Sequence, residues 1–349
     1  MRREENFKPI NRVQKVIYIY KEFGLVYLFK NYYKYATRMF LAVIISFFRH
    51  ASIFLGLKKY KKLDIILTNN PIEKVTIIIP FKDTHDVLRV CVESIINKTE
   101  YKNYEIILVN NQSILPETKK LLEDFGKIPN IKILDFNEPF NYARLHNVII
   151  DQVNTEFVLM LNNDTEVVSP DWLGHMVDII QNNPNVGVVG PLLLFHNNTV
   201  QHAGISLGTR YGLPYHIYEG LPYVGIKSLP GPVQTICEVS AVTGACTLTR
   251  KSLYQSLGGL DENNLKVTFN DIDFCLKVYD ARYHNIFTSN VYLYHYESYT
   301  RGLDYLQREK SHRLAIESNY FMKKWQKYKI DMFTGLDTRC KVIVSNNIQ

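Results

Sequence analysis

The sequence predicts an α/β fold with a mostly parallel sheet flanked by helices on both faces. From Val75 onward, short β-branched or apolar runs alternate with helix-like stretches, the signature of βαβ units. Several of those runs end in clusters of small polar or acidic residues. In such sheets ligands bind beyond the carboxyl ends of the strands, so these clusters are where chemistry is sought. The composition supports a large core: 46% of 349 residues are hydrophobic and 21% are charged, which excludes a disordered chain.

Val75–Ile79 reads as a buried strand ended by Pro80, and Asp86–Asn97 as an amphipathic helix with Val87, Val90, Cys91, Ser94 and Ile95 on one face. Tyr104–Val109 is the next strand, Glu117–Phe125 a helix and Ile131–Leu134 a third strand. Asn141–Val153 follows as a helix and Phe157–Leu161 as a fourth strand. The second half is less regular. Pro184–Leu194 carries a strand, and Gly204–Pro232, rich in Gly, Pro and Tyr, reads as a long loop. Val239–Leu248 is expected as a strand, Lys251–Leu257 and Asn270–Tyr279 as helices, Asn285–Tyr294 as a strand and Tyr305–Tyr328 as a charged amphipathic helix. Residues 336–349 are expected as a tail.

The net charge of +7 is unevenly distributed. Residues 1–62 hold fourteen Lys/Arg and three Glu, a net of +11, whereas the remainder is at −4. The expected organisation is a basic helical N-terminal region over 1–70 and a body over 71–335. Within the body a donor-binding half spans about 74–168, an acceptor half about 169–302 and a C-terminal helix about 303–330. The basic region is rich in tyrosine, and its apolar run Met39–Phe48 is broken by Arg49 and His50. It is too short to span a bilayer, which takes about 20 apolar residues. Peripheral attachment at an anionic membrane surface fits better, against a helical hairpin packed on the body or on a second protomer. Dominant apolar content and an acidic body argue against nucleic acid. The five cysteines show no CxxC spacing, which excludes a zinc ribbon and suggests a reducing compartment. With no cleavable signal sequence in the first thirty residues, the expected location is cytoplasmic, at the inner face of the plasma membrane.

No Walker loop, GxGxxG, HExxH or GxSxG occurs. Two acidic clusters remain. Asn162-Asn163-Asp164-Thr165-Glu166 follows an apolar strand, where a carboxylate could help hold a divalent cation or simply form a turn. Asn270-Asp271-Ile272-Asp273 opens a helix, where carboxylates serve either the helix dipole or general-base chemistry. His295 follows a strand, with Arg301 close behind. Each alone has an ordinary structural explanation.

Taken in order, the motifs resemble the family 2 glycosyltransferases of the GT-A fold, a Rossmann-like arrangement, over roughly 74–335. They are Ile77-Ile78-Ile79-Pro80-Phe81, Leu108-Val109-Asn110-Asn111-Gln112-Ser113, Leu161-Asn162-Asn163-Asp164-Thr165, Val242-Thr243-Gly244-Ala245-Cys246, Leu257-Gly258-Gly259-Leu260-Asp261 and Asn270-Asp271-Ile272-Asp273. Phe140-Asn141-Tyr142, Gln201-His202-Ala203-Gly204 and His295 to Gly302 look like a bacterial subgroup associated with O-antigen, capsule and rhamnose-containing polysaccharides.

The resemblance implies an inverting, metal-dependent transfer from a nucleotide sugar to a glycan or an undecaprenyl-type lipid-linked acceptor. Asp271 matches the catalytic base, with Asp273 beside it as support or acceptor contact. Asp164 and His295 match ligands of Mg²⁺ or Mn²⁺. Pro80, Phe81 and Asp83 match the nucleoside pocket, and Asn110, Asn111, Asn141, Asn147, Asn163 and Arg301 complete the donor-binding set. Asn162 stands where many members have the first acid of DxD, and Asn110 and Asn111 replace acids of the nucleoside loop. An amide there can accept from N3–H of uracil or thymine and donate to a carbonyl, which places UDP and dTDP sugars ahead of GDP sugars. The alternatives are a non-catalytic partner that binds a sugar nucleotide or glycan, and a nucleotidyltransferase, which lacks support from a Gly-rich basic loop.

Overall fold

In a computed structural model the described residues are 63–207, 214–223, 236–296, 308–328 and 340–344. The basic N-terminal region and Arg301 lie outside them. In chain order the strands are β1 Leu63–Leu67, β2 Val75–Phe81, β3 Tyr104–Asn110, β4 Ile131–Asp135, β5 Phe157–Leu161, β6 Thr165–Val167 and β7 Val186–Leu194. They continue as β8 Val200–His202, β9 Ile205–Leu207, β10 Pro214–His216, β11 Ile236–Glu238, β12 Cys246–Arg250, β13 His284–His295 and β14 Cys340–Val344. The helices are α1 His85–Lys98, α2 Pro116–Phe125, α3 Tyr142–Gln152, α4 Trp172–Asn182, α5 Lys251–Ser256, α6 Asn270–Asp280 and α7 Arg308–Lys324.

The main sheet runs β11-β13-β7-β12-β5-β2-β3-β4, with β6 on β13 and β8 on β7. Strands β4, β3, β2 and β5 are mutually parallel, and β7 is parallel to β13. Only β12, inserted between β5 and β7, reverses the direction at the centre. Because successive strand residues face opposite sides, Ile77 and Ile79 join the core under α1, α2 and α4, while Ile78 joins the core under α3, α5, α6 and α7. Leu88, Cys91, Val92 and Ile95 of α1 are at most 0% exposed; each fully buried aliphatic side chain contributes about 1.5–3 kcal/mol.

Several expectations change. Pro80 does not end its strand: β2 continues to Phe81, paired with β3, and Pro80 lies past Ile78, the last residue that β5 partners. Its missing N–H therefore costs no bond to β5. Val239–Leu248 is not one strand. β11 ends at Glu238, β12 starts at Cys246, and Val239–Ala245 between them is a buried loop. Its apolar content reflects burial in the α6-side core rather than strand alternation. The stretch read as one loop from Gly204 contains the antiparallel pair β9–β10. The stretch read as a tail contains β14, parallel to β1. The chain divides at residues 60/61, so Leu63–Asn70, grouped with the basic region, belongs to the body. There Asn183 holds the Ile66 N–H and C=O at 2.9 Å each, and Asp178 accepts from the N–H groups of Thr68 and Asn69.

Candidate active site

Asp83, Asn110, Asn111, Asn163 and Asp164 lie at or just beyond the carboxyl ends of β2, β3 and β5. After β5 the chain turns through Asn162-Asn163-Asp164 into β6, which pairs antiparallel with the end of β13. That register sets His295 opposite Thr165 and brings its Nε2 to 3.2 Å from Asp164 Oδ1 and 3.4 Å from the Asn162 amide nitrogen. Asp164 and His295 are only 6% and 5% exposed. The turn is pinned from below: Thr165 Oγ1 donates to Asn162 C=O at 2.9 Å, and Cys91 lies 3.6 Å from Thr165 Oγ1. Burial pushes the Cys91 thiol up to about 12, so it remains a neutral packing group. Asn163 donates to Thr84 Oγ1 at 3.2 Å.

One carboxylate and one imidazole make a mixed donor set suited to a divalent cation, with substrate oxygens or water completing the shell. Among the described residues no group of three or more His, Cys, Asp or Glu side chains is arranged to hold a metal. The candidate donors that the fold brings together here are thus two, Asp164 and His295, with the Asn162 amide beside them.

The second half of the site is Asp271, in the first turn of α6. Its Oδ2 accepts the Gly244 N–H at 2.7 Å and its Oδ1 the Ile272 N–H at 2.8 Å. The loop that supplies Gly244 also reaches the Asp164 turn, because Asn162 N–H donates to Ala245 C=O at 3.0 Å. Two consecutive residues, Gly244 and Ala245, thus join the two acidic clusters. Tyr142 OH donates to Gly244 C=O at 2.9 Å.

Other residues assigned by resemblance serve the framework. Asp273 is fully buried, accepts from Trp325 Nε1 at 2.8 Å and pairs with Lys324 at 2.7 Å and Lys277 at 3.4 Å. It ties the end of α7 to α6 and is closed off from solvent. Asn141 caps α3 by accepting from Arg144 N–H and donates to Glu262 C=O. Asn147 donates to Leu260 C=O and Glu262 and accepts from Leu260 N–H, so it braces the Gly258–Asp261 turn rather than a donor. Gly259 there has φ +60, and a Cβ would stand 2.4 Å from Asn147 Oδ1, so only glycine fits.

In the expected nucleoside pocket, Asp83 Oδ1 accepts the N–H groups of Ile114 and Leu115 at 2.9 Å, fixing the start of α2. Asn110 bridges Asp135 and Ser113. Asn111 spends both amide hydrogens on the carbonyls of Phe136 and Glu138, each at 2.9 Å. It cannot also donate to a base carbonyl, which removes half of the recognition expected of it. Sequence patterns do not disclose the contacts of Tyr142 and Gly244, or the pairing of buried His202 with half-buried His216, whose Nδ1 atoms are 3.1 Å apart. Burial first, and then the neighbouring imidazoles of His216 and His295, hold His202 well below the usual histidine range. Phe140-Asn141-Tyr142 and Gln201-His202 were visible as motifs, but without the contacts that give them a role.

The model of glycosyl transferase family 2 matches residues 76–257, half of the chain, spanning β2 to the end of α5 and so the Asp164 turn and the Gly244 loop. The chain belongs to glycosyl transferase family 2. It is 40% identical over 258 residues to the uncharacterized protein y4gI of Sinorhizobium fredii, covering 72% of this chain and 27% of that one. It is 39% identical over 231 residues to the O-antigen biosynthesis protein RfbC of Myxococcus xanthus, covering 66% and 18% respectively. The chain thus spans about a quarter or less of these two relatives. Among solved structures, mannosyltransferase PcManGT from Pyrobaculum calidifontis, in complex with GDP-Man and Mn²⁺, superposes with a TM-score of 0.56 at 15% identity, covering 82% of this chain and 74% of that one. GalNAc-T7 with UDP, GalNAc and Mn²⁺ gives 0.53 at 16% identity, covering 64% and 43%. The family 2 chain therefore carries the GT-A fold, as its motifs implied.

Proposed function

We propose that this protein transfers a sugar, with inversion, from a nucleotide-sugar donor to a glycan or lipid-linked saccharide acceptor in bacterial surface polysaccharide synthesis. The observation that carries this reading is the pair Gly244-Ala245, in which Gly244 N–H is 2.7 Å from Asp271 Oδ2 and Ala245 C=O is 3.0 Å from the N–H of Asn162 in the Asp164 turn. On this reading the pair links the base for the acceptor to the holder of the donor diphosphate. The RfbC similarity supports the polysaccharide setting.

In this mechanism Asp271 accepts the proton of an acceptor hydroxyl. The hydroxyl oxygen bonds to the anomeric carbon, and the bond from that carbon to the diphosphate oxygen breaks on the opposite face. A divalent cation, Mg²⁺ or Mn²⁺, when held by Asp164 and His295, supplies charge stabilisation for the leaving diphosphate. On this reading Pro80, Phe81 and the Asn110–Ser113 loop face the nucleoside, and the preference for UDP and dTDP sugars rests on an amide oxygen accepting from N3–H of the base. The +11 of residues 1–62 supports attachment to the anionic inner face of the plasma membrane, where lipid-linked acceptors reside. Among the described residues no helix is long and apolar enough to cross a membrane. Removal of residues 1–62 should shift the protein from the membrane fraction to the supernatant.

The test is release of nucleoside diphosphate from UDP-glucose, UDP-N-acetylglucosamine, dTDP-rhamnose and GDP-mannose, with p-nitrophenyl glycosides as acceptors, in Mn²⁺ and in EDTA. A positioned base contributes about 10²- to 10⁴-fold, so Asp271→Asn should lose at least a hundredfold of the Mn²⁺-dependent release while retaining donor binding. Activity within tenfold of the parent protein removes Asp271 from the role.

A further inference from the structure

We propose that Tyr142 is a positioning residue for the general base, acting on Asp271 through the backbone of Gly244; this rests on the assignment of Asp271 given above. Tyr142 is the first residue of α3, and its own place is fixed on three sides. Asn141 caps the helix and donates to Glu262 C=O at 2.9 Å. The next residue, Ala143, donates its N–H to Lys266 C=O at 3.2 Å. One turn further on, His146 lies with its ring centroid 4.2 Å from the tyrosine ring and its Nδ1 2.9 Å from Tyr142 C=O. The phenol is therefore delivered from a rigid element, with its hydroxyl 2.9 Å from Gly244 C=O.

Gly244 is held at both ends. Its carbonyl takes the Tyr142 hydroxyl, and its N–H is 2.7 Å from Asp271 Oδ2. The N–H and the carbonyl belong to successive peptide units joined at Gly244 Cα, so anchoring the carbonyl limits how far that Cα, and the N–H it carries, can shift from the carboxylate. No side chain is tolerated comfortably between the two partners: a Cβ on Gly244 would stand 3.2 Å from Asp271 Cβ and 3.3 Å from Tyr142 OH. The Ile272 N–H fixes the other carboxylate oxygen at 2.8 Å. Two backbone N–H groups thus act on Asp271, and Tyr142 holds one that comes from another part of the chain. Base catalysis depends on such orientation, since a misplacement of about 1 Å can cost about a hundredfold.

The experiment uses the full chain and the fastest donor–glycoside pair from the panel above. Tyr142→Phe removes the hydroxyl and keeps the ring. It should lower kcat about tenfold and leave the donor KM within about twofold. In an Asp271→Ala background the same change should lower the residual rate less than twofold, because a residue acting only through Asp271 has nothing left to position. A second readout needs no turnover. In protein labelled with ¹⁵N-glycine, the Gly244 amide proton, shifted downfield by the carboxylate and identified by its loss of that shift in Asp271→Ala, should move upfield in Tyr142→Phe.

An unchanged kcat together with an unmoved Gly244 resonance overturns the inference, as does an equal loss in the presence and absence of Asp271. Full activity of Asp271→Ala overturns the base assignment instead, and the inference with it, and is recognised from that variant alone.

Discussion

Gly244 gives its N–H to Asp271 Oδ2 at 2.7 Å, and it does so from a loop whose next residue is bonded to Asn162. The two acidic clusters are 107 positions apart from Asp164 to Asp271, yet this loop makes them one unit. Gly244→Ala should therefore act on catalysis more than on stability. Its Cβ must displace Asp271 Cβ or the Tyr142 hydroxyl by a few tenths of an ångström. We expect kcat to fall about tenfold or more with the melting temperature changed by only a few degrees. Parental turnover would show that Asp271 tolerates the shift.

Asp273 should behave in the opposite way. It is completely buried, bonded to Trp325 and paired with Lys324 and Lys277, whose side chains are 27% and 19% exposed. Removing a buried partner strands the remaining charges and costs about 3–5 kcal/mol when they are fully enclosed; the partial exposure of both lysines reduces this to about 2–3 kcal/mol. Asp273→Ala should lower the urea midpoint accordingly, while the folded fraction keeps a near-parental kcat. A stable but inactive variant would restore Asp273 to the chemistry.

These two aspartates show what the sequence could and could not disclose. The sheet and the helices α1 to α3 were legible because β-branched runs and 3.6-residue periodicity are local signals. The positions after β2, β3 and β5 were legible because parallel sheets present their ligand-facing loops there. The distinction between Asp271 and Asp273 was not, since both lie in the first turn of α6 and only α7, about fifty residues on, buries one of them. Val239–Ala245 was misread because a buried loop and a buried strand share an apolar composition. The approach of His295 to Asp164 depends on β6, a three-residue strand whose partner is about 130 residues away, and no local pattern announces such a pairing. Asn141 lies in the Phe140-Asn141-Tyr142 motif and Asn147 is assigned by the resemblance alone, but the Glu262 and Leu260 contacts take up the amides of both.

His146 provides a pH-dependent test of the α3 core. It is 0% exposed, and burial pushes it down to about 4, only partly offset by its bond to Tyr142 C=O. The unfolded chain takes up this proton near pH 6.5, whereas the folded protein resists until about pH 4. The contribution is therefore fully present above pH 6.5 and is lost as the pH falls towards 4, at about 1.4 kcal/mol per pH unit. His146→Leu should show a flatter fall in stability between pH 6.5 and 4.5, read from urea midpoints at each pH. Parallel curves for the two proteins would mean that His146 titrates normally in the fold.

Asn162 bears on the metal. Its amide nitrogen is 3.4 Å from His295 Nε2, beside the Asp164 carboxylate that lies 3.2 Å from the same atom. Asn162→Asp would set a second negative charge there. Without a cation the two carboxylates repel, so the melting temperature should drop in EDTA. With Mn²⁺ the added charge favours binding, and at an effective dielectric of about 20 even a fraction of the roughly 4 kcal/mol available at 4 Å exceeds a tenfold gain in affinity. The Mn²⁺-induced rise in stability should then be larger than in the parent by about 1.4 kcal/mol per tenfold tighter binding. The Mn²⁺ concentration for half-maximal transfer should fall in step. If Mn²⁺ stabilises neither protein, the turn after β5 holds no divalent cation, and the loss of activity expected in EDTA would have to arise elsewhere.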